Sequence, residues 1–243
     1  MEFLMKAFGE RLKGKQGAQI VKLLGAMLLL SAGYSFAEEV LPKNEEALAK
    51  DWEWVRLQEG SYNFEERKLR IKSLPGNIWG KGEGKNILLK SLEEENVCIT
   101  LQLTLHPETH GEQAGVLLYL DDDHYCKVVR EWVGGSIQGH AVVSARELEG
   151  KGKPLKALPF EESTVVLRMV KLGRKVVSFV KGEKEDSFVL LSVTELPELP
   201  EKEVKIALYS SGAKKGTDHW AEFHSLTVEA IEADADPLSF LKL

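Results

Sequence analysis

The sequence predicts an all-β protein, an antiparallel two-sheet sandwich. Three observations carry that expectation. Apolar and polar residues alternate over short stretches; such stretches recur about every ten residues; and none of the segments between them has the length and period of a crossover helix. With 43% hydrophobic residues, a chain of 243 can bury a substantial core. Its 32 basic and 38 acidic residues leave a net charge of −6, so no basic field is available to hold a nucleic-acid backbone.

The amino terminus reads as an export signal. Lys6, Arg11, Lys13, Lys15 and Lys22 precede an apolar run from Leu23 to Ala32, and Ser35-Phe36-Ala37 supplies small residues at the cleavage positions. The run falls short of the ~20 residues a spanning helix needs, so residues 1–37 are predicted to be a signal peptide cleaved before Glu38. The product is then secreted, periplasmic or extracellular, and meets a membrane only through that signal. Residues 38–51 are charged and weakly helical and read as an exposed lead-in. Residues 52–229 form the sandwich, and residues 230–243 are a tail, acidic and then apolar at Leu238, Phe240 and Leu241.

Trp52-Glu53-Trp54-Val55-Arg56 opens the domain. Asn63 to Leu74 reads as a strand stopped by Pro75-Gly76, and Trp79 follows in a loop rich in glycine. That loop lacks the context of a phosphate-binding motif and reads as a flexible surface loop. After a short strand from Asn86 to Lys90, Val97 to Leu105 alternates without a break. Gln113 to Leu120 is apolar nearly throughout, as in a strand packed on both faces. Asp121, Asp122 and Asp123 then turn the chain as a solvated hairpin tip. In the return strand, Tyr125, Lys127, Val129 and Glu131 point one way and Cys126, Val128, Arg130 and Trp132 the other. Ile137 to Ala145 reads as another strand and Glu149 to Pro159 as a long loop. Thr164 to Val170 and Lys175 to Lys181 form a second hairpin, and Phe188 to Val193, Val204 to Ser210 and Trp220 to Glu229 complete the sheets. If Val97–Leu105 and the central hairpin are a meander, one strand separates Cys98 from Cys126. The two thiols are then about 9–10 Å apart and do not pair.

The run Glu112-Gln113-Ala114-Gly115-Val116-Leu117-Leu118-Tyr119, the acidic turn, and His124-Tyr125-Cys126-Lys127-Val128-Val129-Arg130-Glu131 resemble the concanavalin A-like jelly-roll module at the C-terminus of β-xylosidases. They also resemble the related regulator-of-enolase-like family, a domain of unknown function. The likeness covers roughly Trp52 to Glu229, supported by Val166-Leu167-Arg168 before the Gly173 turn and by Ala221-Glu222-Phe223. It implies a lectin- and glucanase-type sandwich whose concave face meets carbohydrate. The separate catalytic propeller of the β-xylosidases has no room here. His224 and Ser225 follow Phe223 where relatives carry acidic residues, so no calcium ligand is implied at that point.

Tyr125, Lys127 and Glu131 match the aromatic, lysine and glutamate positions of the enolase-regulator-like relatives, and they share a strand face. An aromatic ring beside charged groups suits a sugar, which offers C–H faces to stack and hydroxyls to bond. Trp79, Trp132 and His140, with Trp220, are candidate platforms around the same cleft. The competing reading makes Lys127 and Glu131 an ion pair on a solvated sheet face and Tyr125 a packing residue. Asp121 to Asp123 lack the spacing of a calcium loop. No catalytic residue, metal or cofactor is assigned: neither an acid pair on one strand nor a nucleophile with a nearby base is visible. The sequence therefore suggests a secreted, non-catalytic sandwich that binds a polysaccharide or glycoconjugate. The alternatives are a stand-alone glycoside hydrolase or lyase and a protein-interaction module of the cell envelope.

Overall fold

The structure, a computed structural model, describes residues 37–80 and 84–242. The predicted export signal, Ala37 apart, lies outside the described residues.

The elements are, in chain order, strand β1 (Glu38–Glu39), helix α1 (Glu45–Asp51), β2 (Glu53–Val55), β3 (Tyr62–Glu65), β4 (Lys68–Lys72), β5 (Ile87–Ser91), β6 (Val97–Thr104), β7 (Gln113–Asp121), β8 (His124–Val133), β9 (Gly139–Leu148), β10 (Lys151–Pro159), β11 (Thr164–Leu172), β12 (Lys175–Gly182), β13 (Val189–Glu195), β14 (Lys205–Ser211) and β15 (Trp220–Ala230). They make two antiparallel sheets. One runs β10-β9-β8-β7-β14-β5-β2; the other runs β13-β12-β11-β6-β15-β4-β3, with β1 added alongside β15.

The sheets pack face to face over a core that follows directly from the period of two. Val116, Leu118, Cys126, Val128 and Val142 come from the seven-stranded sheet, and Ile99, Leu101, Leu167, Met169, Phe223 and Leu226 from the eight-stranded one. The alternate residues of the same strands lie on the outer faces, and both outer faces carry apolar clusters of their own. Leu117, Tyr125, Val129, Val143, Ala207 and Tyr209 form one, under Ile78. Cys98, Val170, Val177, Phe179 and Phe188 form the other, under Phe240. A strand buried on both sides has no polar face to show, hence the near-continuous apolar run of β7.

Several expectations are corrected. Residues 38–51 are mostly exposed, as expected, but they are anchored: Leu41 and Leu48 are buried in the core, and the side chain of Asn44 caps α1 by accepting from Ala47 N at 2.9 Å. Asn63 to Leu74 is two strands, because Glu66 and Arg67 turn the chain with positive φ. Glu149 to Pro159 is not a loop but contains β10, the edge strand of its sheet. Lys151, Lys153, Lys156 and Pro154 disguise it, being the residues that keep an exposed edge from pairing with another chain. The hairpin tip is not merely solvated: Arg56 grips Asp122 with two bonds of 2.7 Å, and Tyr119 donates to the same carboxylate at 2.9 Å.

Cys98 and Cys126 are free and buried. The meander argument for that outcome fails, since β6 lies in one sheet and β7 and β8 in the other. Cys98 faces outward under the tail and Cys126 faces the central core, so the thiols lie on opposite sides of a sheet. Burial pushes Cys98 up to about 11 and Cys126 up to about 12, which leaves both as thiols rather than thiolates.

Candidate functional site

The outer face of the seven-stranded sheet is the face the sequence reading took as concave. Cross-strand register sets its rows: Glu147 lies opposite Tyr125, Ala145 opposite Lys127, Val143 opposite Val129 and Ala141 opposite Glu131. On the other flank, Gln113 pairs with Glu131 and Gly115 with both Val129 and Tyr209. Ala141, Ala145, Gly115 and Ala207 keep this surface shallow, and large side chains fill the space above them.

A loop closes over that surface. Ile78 is fully buried and its carbonyl accepts from Tyr125 Oη at 3.1 Å. Arg56 donates from Nε to Gly84 O at 2.5 Å while holding Asp122, which ties the far side of the loop to the β7–β8 turn. Trp79 N bonds Asn77 Oδ1 at 2.9 Å, and the half-buried indole lies against Gly152 of β10. A Cβ at Gly152 would overlap the indole, so glycine is what admits the ring. The loop expected to be flexible is, over its described part, packed.

Beneath Trp79 lies a buried polar network. Lys127 Nζ sits 4.6 Å from the indole centroid, a cation–π contact, and donates to Gln113 Oε1 at 2.6 Å and to Tyr209 Oη at 3.4 Å. Tyr209 donates to the same Gln113 oxygen, and Gln113 Nε2 donates to Gly111 O at 3.0 Å. At the far end Tyr125 Oη donates to Glu147 Oε2 at 2.8 Å, and Glu147 Oε1 is buried with no hydrogen-bond partner among the described residues. Burial lowers Lys127 to about 8, against the pull of Glu131 and Glu147. It raises Glu131, against Lys127 and His110, and it raises Tyr125 and Tyr209. Glu131 is half-buried and takes no ion pair within 4 Å among the described residues.

Trp79, Tyr125, Lys127 and Glu131 are thus brought to one face, but in two layers. Tyr125 and Lys127 are 0% and 2% exposed and act from below; Trp79 and Glu131 reach the surface. Trp132 and His140 do not join them. They are register partners of each other on the opposite side of the sheet, where Trp132 packs edge-on to His110 and His140 Nε2 lies 3.1 Å from Pro107 O. Period two alone separates Trp132 from Lys127, so the grouping of Trp132 and His140 with the outer face is corrected. Trp220 lies on the other sheet, under the cations of Arg70 and Lys72. The Lys127–Glu131 ion pair of the competing reading is not formed; Lys127 donates instead to the neutral oxygens of Gln113 and Tyr209.

Gln113, Glu147 and Tyr209 were missed. They come from three strands far apart in sequence and form no local motif; the available signal was a carboxylate among the small residues Ala141, Val143 and Ala145 of β9. Glu131 and Glu147 do not make a hydrolytic acid pair. Six residues of strand separate Glu131 from the register partner of Glu147, about 20 Å, whereas glycoside hydrolysis needs carboxyl groups about 5–10 Å apart.

Two antiparallel sheets with an apolar core and an aromatic loop roofing one outer face define a concanavalin A-like sandwich. Residues 44–229 match the beta xylosidase C-terminal concanavalin A-like domain, and the chain belongs to that family. The GH43 BlXynB protein from Bacillus licheniformis has a similar structure, with TM-score 0.66 and 17% identity over 74% of this chain and 37% of its own. A xylan beta-1,4-xylosidase from Bacillus halodurans follows with TM-score 0.59 and 14% identity over 68% of this chain and 33% of its own. This chain therefore spans about a third of the length of either protein. A functionally unknown protein from Saccharomyces cerevisiae is similar over 76% of this chain and 98% of its own, with TM-score 0.58 and 14% identity. At these identities the likeness is one of fold. No curated protein matches the chain in sequence.

Proposed function

We propose that this protein is an exported, non-catalytic carbohydrate-binding sandwich, and that the sugar lies on the outer face of the seven-stranded sheet. The observation that carries this reading is Trp79, a half-exposed indole fixed in place by Gly152 on one side and Lys127 below. A ring held in that way stacks on a sugar without losing further rotamer freedom. Glu131 stands on the same face with an accessible, unpaired carboxylate that can accept from sugar hydroxyls. Tyr125 and Lys127 serve as supports that hold the platform, and ligand contact belongs to the upper layer. Membership of a β-xylosidase domain family supports carbohydrate as the partner class, and the charged, then apolar, amino terminus supports export.

Xylo-oligosaccharides are the first probes to use. Isothermal titration should detect binding that Trp79→Ala weakens by about tenfold or more, the loss of one stacking platform. Binding that is unaffected by Trp79→Ala, or absent across a panel of neutral glycans, refutes the reading.

A further inference from the structure

A second feature lies where the two sheet edges meet. Strands β9 and β10 of one sheet and β12 and β13 of the other enclose an open cleft of about 400 Å³, lined by Arg146, Lys153, Leu155, Lys175, Thr194 and Glu195, with Val193 at its rim. Three cations face one carboxylate in a chain whose overall charge is −6. Among the described residues Arg146, Lys153 and Lys175 have no acid within 4 Å, even though Lys175 is the register partner of Glu195.

Protection of a sheet edge accounts for Lys153, which sits on β10 beside Pro154. It does not account for Arg146, which is one strand further in and half-buried on the inter-sheet side. Among the described residues its guanidinium makes one hydrogen bond, a long one of 3.4 Å to Thr194 Oγ1, and it lines the cleft with most of its donors unused. Lys175 arrives from the other sheet. Cations supplied from both walls converge on a bound group instead of lining a single ridge, and a planar guanidinium is suited to two oxygens of one oxyanion.

We propose that this cleft is a second binding site, separate from the Trp79 face, for the carboxylate or sulfate group of an acidic saccharide. The anion requirement rests on the cleft alone; the saccharide rests on the proposed function. Titration of the full chain with trigalacturonate, a neutral trisaccharide and inorganic sulfate at low salt tests both halves. Trigalacturonate should bind, should weaken as salt is raised, and should lose about tenfold in the Arg146→Gln/Lys175→Gln double variant. The double variant should keep its affinity for xylo-oligosaccharide, so the failure of one site does not mimic the failure of the other. A Lys153→Gln variant, on an exposed side chain, should give a smaller loss in the same direction without risk to folding. Sulfate binding as tight as trigalacturonate binding would overturn the saccharide half. Failure of every anion to bind, or equal binding by the double variant, would overturn the proposal.

Discussion

The outer face of the eight-stranded sheet is covered by the C-terminal tail and that of the seven-stranded sheet by the Ile78–Trp79 loop, and the two covers differ in what they leave beneath them. Under the tail, Phe240 meets Val170, Val177, Phe179 and Phe188; Arg168 donates there to Phe240 O at 2.6 Å and Thr100 Oγ1 at 3.0 Å, and Lys181 lies over the Phe188 ring from the edge. Under the loop are a lysine held by neutral oxygens, a glutamate with an orphan oxygen, and a half-buried carboxylate without an ion pair. The first cover closes an apolar surface. The second retains buried polar groups that a purely structural lid would replace with apolar ones, and such costs concentrate at functional sites.

That contrast can be broken at either cover. Phe240→Ala should have the largest effect on stability, about 3 kcal/mol, the usual cost of emptying a buried aromatic site, with oligosaccharide affinity unchanged. Urea unfolding alongside titration checks both halves, and a parallel loss of affinity would erase the distinction between the two faces.

Lys127→Met comes next, read through pH. Its folded value of about 8 lies below the ordinary 10.5, so between those limits the unfolded chain binds more protons and this group's contribution to stability rises with pH. Below pH 8 the lysine is charged in both states and the penalty is complete, on the order of 3 kcal/mol. The wild type should therefore gain on the methionine variant between pH 7 and pH 10.5. Parallel stability profiles would show that Lys127 is not desolvated.

Gly152→Val sharpens the role of the platform. A branched side chain at that point displaces the indole, costing about 1–3 kcal/mol of stability and roughly the same tenfold in affinity as removing the ring. Full affinity in this variant would mean that Trp79 works without its seat on β10.

The smallest effect belongs to Glu131→Gln, within about 0.5 kcal/mol at neutral pH for a half-exposed group. Because burial raises the folded carboxyl above its ordinary 4.5, its stabilising contribution is present below that pH and lost as pH rises through the folded value. The glutamine variant should lack that fall. An unchanged profile would place the carboxylate in open solvent.

The period-two pattern made most of the sheets legible, including the two faces of β8 and the doubly buried β7. It failed at β10, where the lysines, glycine and proline that suit an edge also imitate a loop, and at β6 to β7, where a connection between sheets reads like a hairpin within one. Half of the site was legible on the same principle. Tyr125, Lys127 and Glu131 share a face because they alternate, and Trp132 breaks that alternation. Gln113, Glu147, Tyr209 and Gly152 could not be assembled, since only the strand order brings β7, β9, β14 and β10 around β8. The tryptophan loop was hidden for a related reason: glycines suggest freedom, while Ile78 and Arg56 fix it through partners distant in sequence.

The most direct test is the indole N–H resonance of Trp79 in the full-length protein as xylo-oligosaccharide is added. The account predicts a saturable shift at Trp79 with Trp132 and Trp220 unmoved. A shift at Trp220 in its place, or no shift at Trp79 under conditions where the sugar binds, would contradict it.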